Sequence, residues 1–473
     1  MVETIKYASI SIEEVIASKL RLEANVFNVE GRKAKEILKN CKWEIKTLCG
    51  PNGVAKAYHR GRFKRIFVEK SDFPIYQPAQ ILELYPKPYK YISDLTKTDI
   101  AALRVKKGQI LMSCSGTIGK CTVVTKLFDN HIFSHDLLRI NAVDKNDVGF
   151  IYVYLLTEIG QNLIKTNNYG AVIQHIEPEH LDFIQIPYPE LSIRDKIHKI
   201  IMQSFDLRDS ANDLIAEAEQ ILIKELNLKA IDKLTPDFFD KNSEVKTFSV
   251  RLEFLNNRFE ASYHNPIVSS ILDCFLDNTE TIKPLSQLSN QITMPGIFKR
   301  IYVDEDNGVP FLGTNDILEL NPRVEKFLSK TGHKKLIEKE LSVKENTILI
   351  TDRGTIGNVV LVPEYYEKES WTVSQNSIRI VPNSIDIAGY IYIFLNSDYG
   401  KALSKRETYG AVIDMIDPSN ARQIPIPILK NKSAMKQIND LALKANKLRA
   451  EAYYKEKEAM KIMNEEVIYA SNE

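Results

Sequence analysis

Two stretches of the chain carry small or apolar residues at alternating steps of four and three. From Leu191 to Leu228 the positions are Ile193, Ile197, Ile200, Ser204, Leu207, Ala211, Leu214, Ala218 and Ile221. Near the C-terminus they are Ile438, Leu441, Ala445, Leu448, Ala452, Lys455, Ala459 and Ile462. This is heptad spacing with charged flanks and no internal proline or glycine, which predicts two long helices that pair along a seam. Lys455 is the odd member, a cation where an apolar knob is expected. Other segments read as strands. "GQILMSC" and "KCTVV" flank one Gly-Thr-Ile-Gly tetrapeptide (116–119), and "NTILITD" and "NVVLV" flank a second (354–357). Val, Ile and Thr runs on either side of a short glycine-containing link predict two β-hairpins. Neither copy fits the G-x-x-x-x-G-K-[ST] spacing of a phosphate loop.

The two hairpins belong to a longer repetition. "RFKRIFV" (62–68) answers "IFKRIYV" (297–303), "YGAVIQHIEP" (169–178) answers "YGAVIDMIDP" (409–418), and "IQIPYP" (184–189) answers "RQIPIP" (422–427). The offset stays between 235 and 240 residues, far longer than a solenoid unit, so the chain is a duplication of a whole domain. Each copy also holds an aromatic-rich segment at helical spacing, which predicts an amphipathic helix ending at Tyr169-Gly170 or Tyr409-Gly410. The fold expected is mixed α/β (α+β): two tandem homologous domains, 1–190 and 230–428, and two long helices, 191–229 and 429–473. A pseudo-twofold axis between the copies makes the helices antiparallel and puts the domains at opposite ends.

Composition narrows the chemistry. A chain of 473 residues with a formal net charge of +1 gives no global attraction to nucleic acid, so a DNA-binding face has to be local. No secretory leader and no membrane-spanning run is visible, which points to a cytoplasmic protein. The five cysteines, Cys41, Cys49, Cys114, Cys121 and Cys274, form no C-x-x-C pair. G-x-S-x-G, H-E-x-x-H and the [ND]-P-P-[YF] motif of amino-methylating enzymes are all missing. His131 and His135 lie on a strand-like run, too far apart to share a metal. Asp237, Glu244 and Lys246 resemble a nuclease arrangement only faintly and have no counterpart in the other copy.

Basic and aromatic residues interleave in the repeated motif. Arg60, Arg62, Lys64 and Arg65 in the first copy and Lys299 and Arg300 in the second read as basic strand edges suited to phosphate contact. The copies differ most in two lysine-rich stretches, about 85–105 and 321–343. Lys87, Lys90, Lys330, Lys334 and Lys335 there, and Arg353 beside the second tetrapeptide, are further candidates for DNA contact.

Two domains that each contain "GTIG", end in "IPxP" and lead into a long helix resemble the specificity (S) subunit of type I restriction-modification systems. The resemblance covers essentially the whole chain. It implies two target-recognition domains, each reading one half of a bipartite duplex-DNA site, with helices that space them and contact methyltransferase (M) subunits, two of them. It also implies that S-adenosylmethionine is bound by that partner rather than by this chain, and that restriction (R) subunits perform cleavage. The helix starts, "IPYPELSIRDKI" and "IPIPILKNKSAM", depart from the P-P-L-x-E-Q pattern common in the family. Two other readings stay open at this point: a two-armed protein-binding scaffold, and a nuclease built on Asp237, Glu244 and Lys246.

Overall fold

Ile110–Ser113 and Cys121–Val123 pair antiparallel around the first tetrapeptide, and Ile348–Thr351 and Val359–Leu361 do the same around the second. In each repeat this hairpin forms one side of a four-stranded antiparallel sheet. The strand order in the first is Ala55–Tyr58, Leu137–Ala142, Ile110–Ser113, Cys121–Val123; in the second it is Ser289–Thr293, Ser377–Pro382, Ile348–Thr351, Val359–Leu361. The computed structural model describes residues 9–17, 20, 22, 24–169, 174–231, 234, 247–255, 258–354, 356–410 and 413–470. Asp237, Glu244 and Lys246 lie outside the described residues.

The chain divides into two units, one of residues 1–209 with 451–473 and the other of residues 210–450. In the first, the core gathers around Val148–Leu156, a helix whose residues 148–155 are all buried, with Ile110, Met112, Leu138 and Ile140 from the sheet. Fully burying one such Phe or Ile side chain contributes about 1.5–3 kcal/mol. The expected amphipathic helix is therefore two helices, Val148–Leu156 and Glu158–Thr166, divided where the Thr157 hydroxyl caps the Gly160 N–H at 3.0 Å. The second unit repeats the break: Ile385–Asn396 gives way to Asp398–Arg406 at Ser397, which caps Gly400. These helices stop at Thr166 and Arg406, before Tyr169 and Tyr409, because each tyrosine instead exchanges two backbone hydrogen bonds with the residue six further on. Gly170 lies outside the described residues.

The smaller strands differ between the copies. In the second they join into one sheet, Tyr302–Val303, Phe327–Ser329, Gly308–Leu312 and Thr372–Val373; in the first they remain two pairs, Phe67–Val68 with Tyr91–Ile92 and Ile75–Tyr76 with Ile132–Phe133. Outside both, Glu44–Thr47 pairs with Gln185–Tyr188, and Thr279–Pro284 with Pro425–Leu429. The Pro-x-Pro motifs thus sit on antiparallel strands that lead directly into the long helices.

Those helices are Leu191–Glu225 and Lys432–Ile462, the second continued by a π-helical turn over Met463–Ile468. They run antiparallel. In the first unit Lys196 Nζ meets Glu466 Oε1 at 3.0 Å and Ser204 Oγ donates to the Ala452 carbonyl at 2.7 Å. In the second, Arg449 Nη2 donates to Asn212 Oδ1 at 3.2 Å.

The buried stripe corrects the expected seam. Ile197, Ser204, Ala211 and Ala218 are buried as expected, but the intervening members are Ile201, Arg208, Ile215 and Leu222. Ile200, Leu207, Leu214 and Ile221 are only half-buried, as is Ile193 at the start of the helix. The second helix shows the same phase through Ile438, Ala442, Ala445, Arg449, Ala452, Glu456, Ala459 and Met463, with Ile462 also buried and Leu441 and Leu448 half-buried. Two causes explain the shift. Adjacent apolar pairs (200/201, 214/215, 221/222) fit either phase, and the helix also covers its own domain, where Ile193 and Ile200 pack. Charged residues, moreover, occupy three true seam positions, which a search for apolar residues passes over. Lys455 accordingly lies beside the seam, its Nζ 2.9 Å from Gln203 Oε1.

Candidate nucleic-acid interface

Glycine is required at the hairpin tips. Gly116 and Gly119 have φ of +71° and +85°, and Gly354 and Gly357 have +75° and +82°. A side chain in this left-handed region costs about 1–2 kcal/mol. The Ser113 hydroxyl closes the first tip, accepting from the Lys120 N–H at 3.0 Å and donating to the Thr117 carbonyl at 2.6 Å. Each tip then docks on the segment that follows the paired helices. Ile176 N–H donates to the Cys114 carbonyl, and Ile416 N–H to the Asp352 carbonyl, both at 3.0 Å.

Different side chains surround the two tips. In the first repeat Glu177 accepts from Tyr169 Oη at 2.8 Å and lies 2.6 Å from His59 Nε2. Burial pushes the Glu177 carboxyl up, but the Tyr169 hydrogen bond and His59 outweigh it, and the net position is below the usual carboxylate range. Burial also raises the Cys114 thiol, to about 11, with Asp136 and Glu177 adding to the effect. In the second repeat the place of Cys114 is taken by buried Asp352, which Arg353 clasps through Nε at 2.9 Å and Nη2 at 2.8 Å. That hydrogen bond raises the Arg353 guanidinium further above its ordinary value.

The basic motifs are not strand edges. Residues 59–66 and 294–301 form irregular loops, and only Phe67–Val68 and Tyr302–Val303 enter ladders. Side chains pin these loops where a ladder would otherwise do so. Phe63 stands edge-on to His135 with centroids 5.2 Å apart, and Arg65 Nη1 reaches Ser134 Oγ at 3.2 Å and Asp136 Oδ2 at 3.4 Å. In the second loop Phe298 stands edge-on to His333 at 5.4 Å, and Arg300 Nη2 reaches Gln375 Oε1 at 3.1 Å. The Ile301 N–H donates to His333 Nε2 at 3.0 Å.

Each loop therefore has an anchored half and an exposed half. Arg62, Lys64 and Lys299 are exposed, and Ile297 is 90% exposed. Arg62, Phe63, Lys64 and Arg65 line a shallow depression with His135 and Asp136. His135 is buried at its floor, its pKa lowered by that burial, and its Nδ1 has no hydrogen-bond partner.

The other candidates are dispersed. Arg60 is half-buried with its guanidinium 5.2 Å from the Tyr58 ring centre. Lys87 lies 5.4 Å from Tyr85, and Lys90 5.0 Å from Phe67 and 5.8 Å from Tyr89. Lys330 Nζ donates to the Asp306 carbonyl at 3.1 Å. Lys334 and Lys335 are exposed on a short helical turn directly after His333, which brings them to the second basic loop. Reading for cations missed the anchors Ser134, Asp136, Gln375 and His333, and it missed Ile297. The motif alignment places Ile297 opposite Arg62 and held the only signal for it.

A family model for the type I restriction modification DNA specificity domain matches residues 42–220 and again 284–446. Among solved structures, similarity extends to the S subunit of a type I restriction-modification system from M. genitalium. It is 15% identical over 90% of this chain and 94% of that one, with a TM-score of 0.30. The HsdS subunit from Thermoanaerobacter tengcongensis is 13% identical over 87% and 97%, with a TM-score of 0.24. A chain from a structure of type I restriction-modification complex assembly is 13% identical over 88% and 97%, with a TM-score of 0.27. No curated protein matches. With one match in each repeat, together spanning most of its length, the chain belongs to the type I restriction-modification DNA specificity family.

Proposed function

We propose that this chain is the non-catalytic specificity subunit of a cytoplasmic type I restriction-modification complex. Each repeat reads one half of a bipartite duplex-DNA site. Methyltransferase subunits, two of them, bind S-adenosylmethionine and methylate the site, and restriction subunits cleave unmodified DNA. The observation that carries this reading is the duplication itself: one family match in each repeat, on a shared four-stranded framework, with unlike surface segments at 85–105 and 321–343. One scaffold bearing two different sets of loops is how a single fold reads two different sequences.

Exchanging residues 1–190 for the corresponding domain of another specificity subunit tests this reading. Sequencing of methylated sites in cells should show one half-site changed and the other retained. Loss of both halves, or methylation with no bipartite site at all, would overturn it.

A further inference from the structure

The two basic loops are built on one plan, and their repeated motifs differ at two exposed positions, 62/297 and 67/302; only the first lies in the loop itself, since Phe67 and Tyr302 begin strands. In "RFKRIFV" and "IFKRIYV" the second residue, Phe63 or Phe298, is pinned edge-on against a histidine. The fourth, Arg65 or Arg300, bonds to the connection that precedes strand Leu137–Ala142 or Ser377–Pro382: Ser134 and Asp136 in one repeat, Gln375 in the other. The first residue precedes the pinned phenylalanine and points outward in both. It is Arg62 in one loop and Ile297, 90% exposed, in the other.

At 90% exposure Ile297 is left almost wholly in solvent, beside the exposed Lys299 and Arg300. Its methyl groups are accessible to an apolar surface on whatever the loop approaches. In duplex DNA the apolar group on a base edge is the thymine methyl, displayed in the major groove. An arginine at the same place meets a different edge, since the planar guanidinium can bond to guanine O6 and N7 together.

Resting on the reading that this chain recognises DNA, we propose that position 62/297 is a base-reading position. Arg62 selects a guanine in one half-site, and Ile297 selects a thymine through its methyl group in the other. The anchored residues Phe63, Arg65, Phe298 and Arg300 position these two side chains. The exposed Lys64 and Lys299, next to the anchors, serve the phosphates.

The test uses the full chain with its methyltransferase. Base frequencies at methylated sites are compared for wild type, Arg62→Ile, Ile297→Arg and Lys64→Ala. Arg62→Ile should lower discrimination at a single position of one half-site, on the order of 10- to 100-fold. The other half-site should be unaltered. Ile297→Arg should change one position in the opposite half-site, and Lys64→Ala should weaken binding evenly across sequences. A second measurement isolates the methyl group: replacing thymine by uracil at the Ile297 position should weaken binding several-fold in wild type and leave Ile297→Ala unaffected. Unchanged base frequencies in both loop variants, or an even loss across all sequences, would overturn the assignment while leaving the bipartite site of the wild-type complex intact. If the wild-type complex itself methylates no bipartite site, the underlying functional reading fails instead.

Discussion

The two halves of the helix seam answer the same problem with different chemistry. Arg208 and Arg449 occupy corresponding places in the two long helices, and both are buried, at 3% and 7% exposure. In the first unit Arg208 Nη2 meets Glu456 Oε2 at 2.8 Å, both side chains about 5% exposed or less. In the second, Arg449 donates to two neutral groups, Asn212 Oδ1 and Tyr392 Oη, each at 3.2 Å. The residue of the first helix that corresponds to Glu456 is Ile215, fully apolar and 1% exposed. Among the described residues, the buried cation thus meets a counter-charge in the first half and neutral partners in the second.

That difference gives the largest expected effect. Removing one partner of a buried ion pair leaves the other charged and desolvated, at a cost of about 3–5 kcal/mol. Glu456→Gln should therefore destabilise the first unit strongly. Arg449→Met, which trades neutral hydrogen bonds for apolar volume, should cost about 1 kcal/mol or less in the second. The two tryptophans make the halves separately readable, because Trp43 lies in one unit and Trp371 in the other. Urea unfolding followed by fluorescence, in Trp43→Phe and Trp371→Phe backgrounds, should show the first transition shifted and the second nearly in place. Arg208→Met combined with Glu456→Leu should restore most of the loss. Equal shifts in both units would mean that the buried arginines are energetically alike and the contrast is only geometric.

The duplication, the hairpins and the two long helices were all legible in the sequence, because repeated motifs and heptad spacing survive without knowledge of tertiary contacts. The phase of the seam was not. Arg208, Arg449 and Glu456 occupy knob positions, and their neighbours Leu207, Leu448 and Lys455 complete an equally regular 4-3 pattern. Only burial distinguishes the two. The basic motifs are legible, but their alternating Arg, Phe and Lys residues imitate a strand edge where the chain forms irregular loops. The partners that hold them, Ser134, Asp136 and Gln375, are 70 or so residues further along the chain and carry no local pattern. Ile297 escaped because an isolated exposed isoleucine is ordinary on any surface.

A smaller effect extends the comparison from the seam to the hairpin tips. Gly119 and Gly357 have nearly the same φ, so alanine at either place incurs a similar backbone strain of about 1–2 kcal/mol. Their surroundings differ. A methyl group on Gly119 would stand 3.0 Å from Gln161 Oε1, whereas one on Gly357 would meet nothing nearer than 3.7 Å. Gln161 is not free to yield, since its amide donates to the Gly119 carbonyl at 2.9 Å and the Leu155 carbonyl at 2.6 Å. Gly119→Ala should thus lower stability more than Gly357→Ala, by about one lost hydrogen bond, or roughly 1 kcal/mol. Identical losses in the fluorescence assay would show that backbone strain alone sets the cost.

The smallest effect tests which residues form the seam. With Lys455 in the seam, its buried ammonium would oppose pairing, and Lys455→Ala would stabilise the first unit, because alanine already fills the neighbouring seam positions 452 and 459. The structure instead places Lys455 beside the seam, with its Nζ hydrogen-bonded to Gln203 in a solvent-exposed contact. Exposed polar contacts of this kind are worth little, and surface substitutions away from special features change stability by about 0.5 kcal/mol at most. Lys455→Ala should therefore leave the Trp43-reported transition almost unmoved, while Glu456→Gln, one residue along, shifts it by several kcal/mol. Such contrast between adjacent residues is possible only where a helix turns one to solvent and the other into a packed face, since successive side chains stand about 100° apart. A clear gain in stability from Lys455→Ala would return the seam to the phase drawn through Leu207 and Leu448, and Arg208 and Glu456 would then be a pair at its margin.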